Sequence, residues 1–180
     1  MAKKQLNKRK IIILAISPFL LFGFSLYVLI LPIKVDGESM MNTLHNGDLA
    51  FVSKTGLSRT HRFDIVVISS KKLHEKIIKR VIGLPNETIE YKDDRLYVNG
   101  KYVKEPFLDP AWMARQKARL KDKYYTHNFR ITLNKDEYFC MGDNRLNSVD
   151  SRDLGPFSLS ELRGRGGFVL LPIDRIKALK

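Results

Sequence analysis

The stretch "KIIKRVIG", residues 76–83, indicates how most of this chain folds. Side chains alternate between the two faces of a strand, so Ile77, Lys79 and Val81 would share one face. Similar short runs rich in Val, Ile, Tyr and Phe recur from Asp48 onward and end at Gly, Pro, Asn or Asp; they include "LAFV", "DIVVIS", "TIEY", "LYV", "FRITL" and "EYFCMG". Such runs are typical of short strands. The sequence therefore predicts a mainly β domain.

Two segments within this domain predict local structure of their own. In "RLYVNGKYV", residues 95–103, Asn99 and Gly100 supply the two positive-φ positions of a tight hairpin turn. The segment "DPAWMARQKARLKDKYY", residues 109–125, is instead rich in good helix formers and basic on several sides. We interpret it as a short helical or mobile insertion outside the core.

The N-terminus predicts a membrane anchor. Residues 1–10 contain five Lys or Arg and no acidic residue, and residues 11–33 follow without a charge. As a helix, this apolar run would reach roughly 34 Å, enough for a hydrocarbon core of about 30 Å. It is long for a cleaved leader and ends without a small-residue cleavage site, and a buried core helix would normally show a polar face.

The predicted organisation is therefore a cytoplasmic tail, residues 1–10, a single transmembrane signal anchor, residues 11–33, and an extracytoplasmic domain, residues 34–180. The orientation follows from the positive-inside rule. This location in the cell membrane makes nucleic acid an unexpected partner, although the formal charge of +13 would suit one. Anionic membrane lipid suits the same charge. A single cysteine, Cys140, excludes an intramolecular disulfide.

Residue types alone leave the catalytic chemistry open. The four histidines lie in polar or turn-like segments and suggest no triad, and no spacing indicates a metal site, so neither metal nor cofactor is expected. A buried lysine can act as a base, because burial lowers the pKa of its amine. Lys79 has apolar neighbours on its predicted face. From the pattern alone, however, Lys79 and Arg80 fit slightly better as exposed residues of an edge strand.

Four segments in fixed order resemble bacterial type I signal peptidases, the membrane-bound Ser/Lys proteases. "GESMMNTL" and "GDLAFVSK" are similar to the serine box and the segment after it, "KRVIGLPNE" to the lysine box, and "MGDNRLNSVDSRDLGPF" to the last box. The last match is nearly letter for letter, and the resemblance spans essentially the whole chain. It implies a β-rich catalytic domain behind a single anchor, as in the short Gram-positive-like form.

The resemblance implies a role for individual residues. Ser39 would be the nucleophile, Lys79 the general base, and Ser148 the residue that orients the lysine amine by a hydrogen bond. The positions that would brace the site, preferentially as an ion pair that holds two strands, are Asp143, Asp150 and Arg152. The pocket for the substrate residue before the cut would be lined by Met40, Leu44 and Ile78.

The implied activity is endoproteolytic removal of signal peptides from exported preproteins, at Ala-x-Ala-like sites and through an acyl-enzyme. The substrate would lie extended beside the strand before Ser39 and the strand with Lys79, and backbone N–H groups would hold the oxyanion. Two positions depart from the family pattern. Asn42 replaces the usual Pro, and Gly37 stands where some relatives carry a serine that helps to bind the oxyanion.

Three other classes of protein share part of this pattern. A signal-peptidase-like membrane protein could act without catalysis in the assembly of surface fibres, but such proteins typically lose the serine or the lysine. A basic domain that tethers acidic wall polymer would need only the anchor and the charge. Self-cleaving repressors have a Ser/Lys dyad but no anchor. The sequence leaves the oligomeric state open.

Overall fold

The computed structural model describes residues 8–179. Residues 1–7, most of the predicted basic tail, lie outside the described residues. Helix α1 spans Lys8–Leu29 and leads directly into strand β1, Ile30–Lys34. The predicted anchor segment is thus divided between a helix and a strand. Within the described part of the chain, no helix meets the length and apolarity needed to cross a membrane.

Strand β1 forms an edge of the larger sheet and pairs antiparallel with β2, Leu49–Ser53. Pro32 is accommodated in β1 because a proline at a sheet edge need not donate a ladder hydrogen bond. The other strands of this sheet are β3 (Ile65–Ser70), β4 (Glu75–Gly83), β9 (Glu137–Met141), β10 (Phe157–Ser158), β11 (Leu162–Leu171) and β12 (Lys177–Leu179). The strands lie in the order β1-β2-β11-β3-β4-β9-β10, with β12 beside β11.

The smaller sheet is formed by β5 (Thr88–Lys92), β6 (Arg95–Val98), β7 (Lys101–Val103) and β8 (Phe129–Thr132). Its strands lie in the order β7-β6-β5-β8. The predicted hairpin turn between β6 and β7 is confirmed, because Asn99 and Gly100 have φ angles of 50° and 76°. The mainly β fold is confirmed as well.

The segment predicted to be helical or mobile forms helix α2, Pro110–Leu120. The carboxylate of Asp109 caps it by accepting hydrogen bonds from the N–H groups of Ala111 and Trp112. A third helix, α3, is the single turn Ser151–Leu154. As expected for an element outside the core, α2 buries only Gln116.

Apolar side chains between the elements form three clusters. One lies beneath the loop that follows β1 and includes Met40, Leu44 and Ala50. A second packs against β3, β4 and β9, and a third joins the larger sheet to the smaller one. Together they fix the loop after β1 and strand β4 relative to each other, which determines where Ser39 and Lys79 meet.

The prediction that Lys79 and Arg80 lie on an edge strand, which the pattern alone slightly favoured, is wrong. Strand β4 pairs with β3 on one side and β9 on the other. Only 3% of Lys79 and 4% of Arg80 is exposed. The loop after β1 contacts Lys79 through Ser39, and the loop after β9 contacts Arg80 through Asp143, so both side chains are largely shielded from solvent.

Candidate active site

Ser39 lies in the tight loop that follows β1. The N–H groups of Thr43 and Leu44 both donate to the carbonyl of Met40 at 2.8 Å, which closes a compact turn after the serine. Asn144, in the loop after β9, donates its N–H to the carbonyl of Ser39 at 2.9 Å. Ser39 is therefore held from both sides, with its side chain directed toward β4.

Lys79 approaches Ser39 from the middle of β4. Its Nζ atom lies 2.7 Å from Oγ of Ser39, which is hydrogen-bonding distance. Burial lowers the pKa of the Lys79 amine, because an apolar environment penalises the ammonium form. The charge of Asp150 opposes this shift and that of Arg152 reinforces it. The result is a lysine that reaches its neutral, basic form at lower pH than usual, beside a hydroxyl.

Ser148 lies next to this pair but does not make the expected contact. Its Oγ donates to Oδ2 of Asp150 at 2.8 Å, and within the described residues it has no hydrogen bond to the Lys79 amine. The physical reason is that a carboxylate is the stronger acceptor for the hydroxyl proton. The serine oxygen keeps its acceptor lone pairs, so it could still accept a hydrogen bond from a protonated lysine.

Asp150 and Arg152 form an ion pair at the start of α3. The Arg152 guanidinium donates to both carboxylate oxygens, at 2.9 and 2.8 Å, and the N–H of Gly142 donates at 2.9 Å. Burial by itself raises the pKa of Asp150, but these hydrogen bonds more than offset it, and the pKa lies below its ordinary value. Asp150 is thus a buried anion that holds Ser148 and the backbone of Gly142.

The third bracing residue, Asp143, pairs with Arg80. Two guanidinium nitrogens of Arg80 lie 2.9 and 2.8 Å from the two carboxylate oxygens, and both side chains are buried. Thr43 also donates its hydroxyl to Asp143. This ion pair joins β4 to the loop after β9, in the sense predicted for a bracing contact, although Arg80 rather than Arg152 supplies the cation.

A cleft of about 600 Å³ opens above Ser39 and Lys79. Residues 32–38, from the end of β1, form one wall, and residues 75–78 of β4 form the other. Two of the three predicted pocket residues, Met40 and Ile78, line it. The third, Leu44, is fully buried in the cluster beneath the serine loop and does not reach the cleft, because the turn after Met40 directs it inward.

Sequence reasoning missed several residues that hold the site. Arg80 was interpreted only as an exposed strand residue, and Tyr125, at the end of the insertion, donates its hydroxyl to the carbonyl of Asp143 at 2.7 Å. Arg145 is fully buried beside the same loop. The one signal in the sequence was the density of charged residues in "MGDNR", which is unusual directly after an apolar strand.

The geometry defines a class of protein before any comparison is made. A serine hydroxyl beside a buried lysine of lowered pKa, at the floor of an open cleft, is the arrangement of a Ser/Lys hydrolase. Among residues 8–179, no three His, Cys, Asp or Glu side chains are grouped so that they could hold a metal ion.

Comparison with known proteins assigns the family. The family model described as "Signal peptidase, peptidase S26" matches residues 8–171. Signal peptidase I S of Bacillus subtilis is 38% identical over 97% of this chain and 94% of its own. A signal peptidase I of Bacillus amyloliquefaciens is 42% identical over 83% and 80%. The crystal structure of a signal peptidase I from Enterococcus faecalis superposes with a TM-score of 0.50 at 36% identity, covering 58% of this chain and 94% of that one.

The chain belongs to the signal peptidase family, peptidase S26. The resemblance seen in the sequence is confirmed, and with it the class of enzyme, a serine endopeptidase.

Proposed function

We propose that this chain removes signal peptides from exported preproteins, with Ser39 as nucleophile and Lys79 as general base. The observation that carries the proposal is the 2.7 Å contact between the serine hydroxyl and the amine of a lysine that is only 3% exposed. A protonated lysine could not accept the serine proton. Desolvation lowers the pKa of Lys79 and so favours the neutral amine that the reaction needs.

The reaction follows acyl-transfer chemistry. Neutral Lys79 takes the proton from Ser39 as Oγ attacks the scissile carbonyl, and the protonated amine then gives that proton to the leaving amino group. Water hydrolyses the resulting ester with the lysine again acting as base. During the interval in which Lys79 is charged, the Ser148 oxygen could accept a hydrogen bond from it while the Ser148 hydroxyl continues to donate to Asp150.

The oxyanion would be held by backbone donors in the serine loop, in particular the N–H of Ser39. Gly37 has no side chain that could contribute, so this site depends on main-chain dipoles fixed before the substrate arrives. The hydrogen bond from Asn144 to the carbonyl of Ser39 fixes the orientation of the adjoining peptide.

The substrate would bind as an extended strand in the cleft. Both walls are strand ends, from β1 and β4, and an extended peptide can hydrogen-bond to such edges through its main chain. Met40 and Ile78 line the cleft near Ser39. Small side chains before the scissile bond would fit there, which is the basis for proposing Ala-x-Ala-like sites.

We also propose that the apolar segment 11–33 anchors the enzyme in the cell membrane, with its N-terminus in the cytoplasm and the catalytic domain outside. Large apolar side chains of α1 are exposed, among them Phe19 at 77% and Tyr27 at 75%. On the larger sheet, Phe168 and Leu170 are exposed as well, and Ile173 and Ile176 follow them in the chain. Exposed apolar side chains of this size suit contact with lipid.

Cleavage of a preprotein by the full chain tests the catalytic proposal. Ser39→Ala and Lys79→Ala should each abolish cleavage, whereas the matched surface variants Ser58→Ala and Lys101→Ala should cleave like wild type. An inert wild type would instead support the non-catalytic assembly role. Normal cleavage by Ser39→Ala would exclude this serine as the nucleophile.

The orientation can be tested on intact cells with an externally added protease. The C-terminal domain should be digested and the N-terminal tail protected. Protection of the domain would contradict the proposed topology.

A further inference from the structure

Residues 142–148, here called the bracing loop, link the nucleophile to the rest of the site. Asn144 donates its N–H to the carbonyl of Ser39 and its side-chain amide to the carbonyl of Glu38 at 3.2 Å. A Cβ atom on Gly142 would lie 2.3 Å from Oγ of Ser148 and 2.5 Å from the Ser39 carbonyl oxygen. Gly142 is therefore closely packed between two residues of the active site, and any movement of its backbone would displace them.

The carbonyl of Gly142 is held by Arg145. Nε of Arg145 donates to it at 3.0 Å, while the other nitrogens donate to Tyr91 Oη at 2.8 Å, Thr126 Oγ1 at 3.1 Å and the carboxylate of Glu105. The side chain of Arg145 is fully buried and that of Glu105 is 7% exposed. Tyr91 closes the arrangement by donating its hydroxyl to the same Glu105 oxygen at 2.6 Å.

The partners of Arg145 come from the smaller sheet and the chain around it. Tyr91 belongs to β5, and Glu105 follows β7. Glu105 touches neither Ser39 nor Lys79. Its charge compensates a guanidinium that has no contact with water, and a buried charge that loses its partner is strongly destabilised in place. Without Glu105, Arg145 would have to reorient or draw in water. Either change would disturb the hydrogen bond that the same side chain donates to the carbonyl of Gly142.

We propose that Glu105 is a positioning residue for the reaction, acting through Arg145 and Gly142 to fix Ser39 and Ser148 relative to Lys79. The smaller sheet thereby takes part in catalysis without contacting substrate. This inference rests on the proposed roles of Ser39 and Lys79. Small misplacements of reacting groups cost large factors in rate, on the order of 10²-fold for 1 Å.

Glu105→Gln in the full chain tests the proposal, because it keeps the shape of the side chain and removes its charge. Glu87→Gln is the matched control. Glu87 also belongs to a partly buried ion pair, with Arg62 at 2.5 Å, and it accepts the N–H of Leu84 at 2.7 Å, but it does not contact the bracing loop. Both variants should lower the melting temperature.

A positioning role in the reaction and a purely structural role predict different kinetic constants. Glu105→Gln should lower kcat about tenfold or more with KM nearly unchanged, since substrate contacts remain intact. Glu87→Gln should leave kcat at the wild-type value. Equal kcat in the two variants, or a change in KM alone, would overturn the proposal while leaving the Ser39 and Lys79 assignments untouched.

A double variant identifies the route. If Glu105 acts through Arg145, the kcat of Glu105→Gln combined with Arg145→Gln should be no lower than that of Arg145→Gln alone. Multiplied losses would show that the two residues act independently, which contradicts the proposal. If Arg145→Gln fails to fold, the comparison of Glu105→Gln with Glu87→Gln still decides.

Discussion

Lys79 and Arg80 are consecutive residues of β4, but only the charge of Arg80 is compensated by a carboxylate in direct contact. Arg80 forms a bidentate ion pair with Asp143, which compensates the charge of a guanidinium that cannot lose its proton. Lys79 is buried equally well but hydrogen-bonds a hydroxyl instead of a carboxylate. A full ion pair would hold the lysine charged. Among the described residues Lys79 takes part in no salt bridge, which suits its proposed role as the base.

The charges around Lys79 predict that removing an acidic or a basic neighbour shifts the pH dependence of kcat in opposite directions. Activity requires the neutral amine, so the rate should rise as pH increases through the pKa of Lys79. The Glu75 carboxylate raises that pKa and the Arg152 guanidinium lowers it. The rising limb of kcat should therefore move to lower pH in Glu75→Gln and to higher pH in Arg152→Gln. Glu90→Gln, on the smaller sheet, is the control. Shifts in the same direction in both variants would contradict the assignment of Lys79 as base.

The burial of Lys79 should also cost stability. At neutral pH the unfolded chain keeps this lysine protonated, whereas the fold disfavours its charge. Lys79→Met should therefore raise the free energy of unfolding by about 1 kcal/mol, a usual gain for one stabilising substitution, while abolishing cleavage. The gain should be largest below the lowered pKa and vanish above the ordinary lysine value. Chemical denaturation at two pH values measures it, and a less stable variant at neutral pH would refute this prediction.

For individual residues of the site, the sequence predicts a role only through the resemblance to signal peptidases. Alternation predicts which residues share a face of β4, but it does not state which parts of the chain pack over that face, and this packing decides the exposure of Lys79. Arg80 and Asp143 meet although 63 residues separate them. No local pattern records such a pairing, because it depends on the placement of β9 beside β4.

Strand β11 is the element that joins the two halves of the larger sheet, since it pairs with β2 on one side and with β3 and β12 on the other. It is ten residues long and irregular, with register shifts against β2 between Arg165 and Phe168. Gly167 lies at this irregularity with a φ of +123°. A Cβ there would be 2.0 Å from the carbonyl oxygen of Phe51.

Gly167→Ala should therefore disrupt β11 severely. Backbone overlap and a disfavoured φ act together, and we expect a loss of roughly 3 kcal/mol or more. Gly100→Ala, in the β6–β7 turn, has the same kind of positive φ but nothing within 4 Å of the added Cβ. It should cost only about 1 kcal/mol. Thermal unfolding of both variants checks the difference, and equal losses would show that the overlap at Gly167 is relieved elsewhere.

Elements with a strong local signal were predictable, and the others were not. The Asn99-Gly100 turn and the helix formers of the insertion specify their own conformations. Strands β10 and β12 contain only two and three residues, too few to produce a period. The division of the apolar run at Leu29 also has no local signal, because β1 becomes a strand by pairing with β2.

In the whole molecule, the proposed catalytic groups lie where distant parts of the chain meet. The serine loop follows β1, the lysine lies on β4, and the bracing loop follows β9 and is supported by the smaller sheet. The N-terminal helix is continuous with β1, which forms one wall of the cleft. The proposed membrane anchor and the proposed substrate cleft are therefore adjacent along the chain.

Truncation should separate these two contributions. A chain that begins at Ile30 retains β1 and should cleave a soluble peptide at a rate similar to the full chain, but a vesicle-embedded preprotein more slowly, because the anchor no longer raises the effective concentration. A chain that begins at Val35 lacks β1 and with it the first part of one cleft wall, and it should cleave neither. Peptide cleavage by the shorter chain would show that β1 is dispensable for substrate binding.

The central claim is that Ser39 is activated by a lysine that loses its proton unusually easily. NMR titration of the lysine Cε resonances in the labelled full chain, with Lys79 assigned by comparison with Lys79→Met, measures that property directly. The account predicts that Lys79 titrates below the ordinary lysine value of about 10.4 and apart from the exposed lysines. Titration of Lys79 together with those lysines would contradict it.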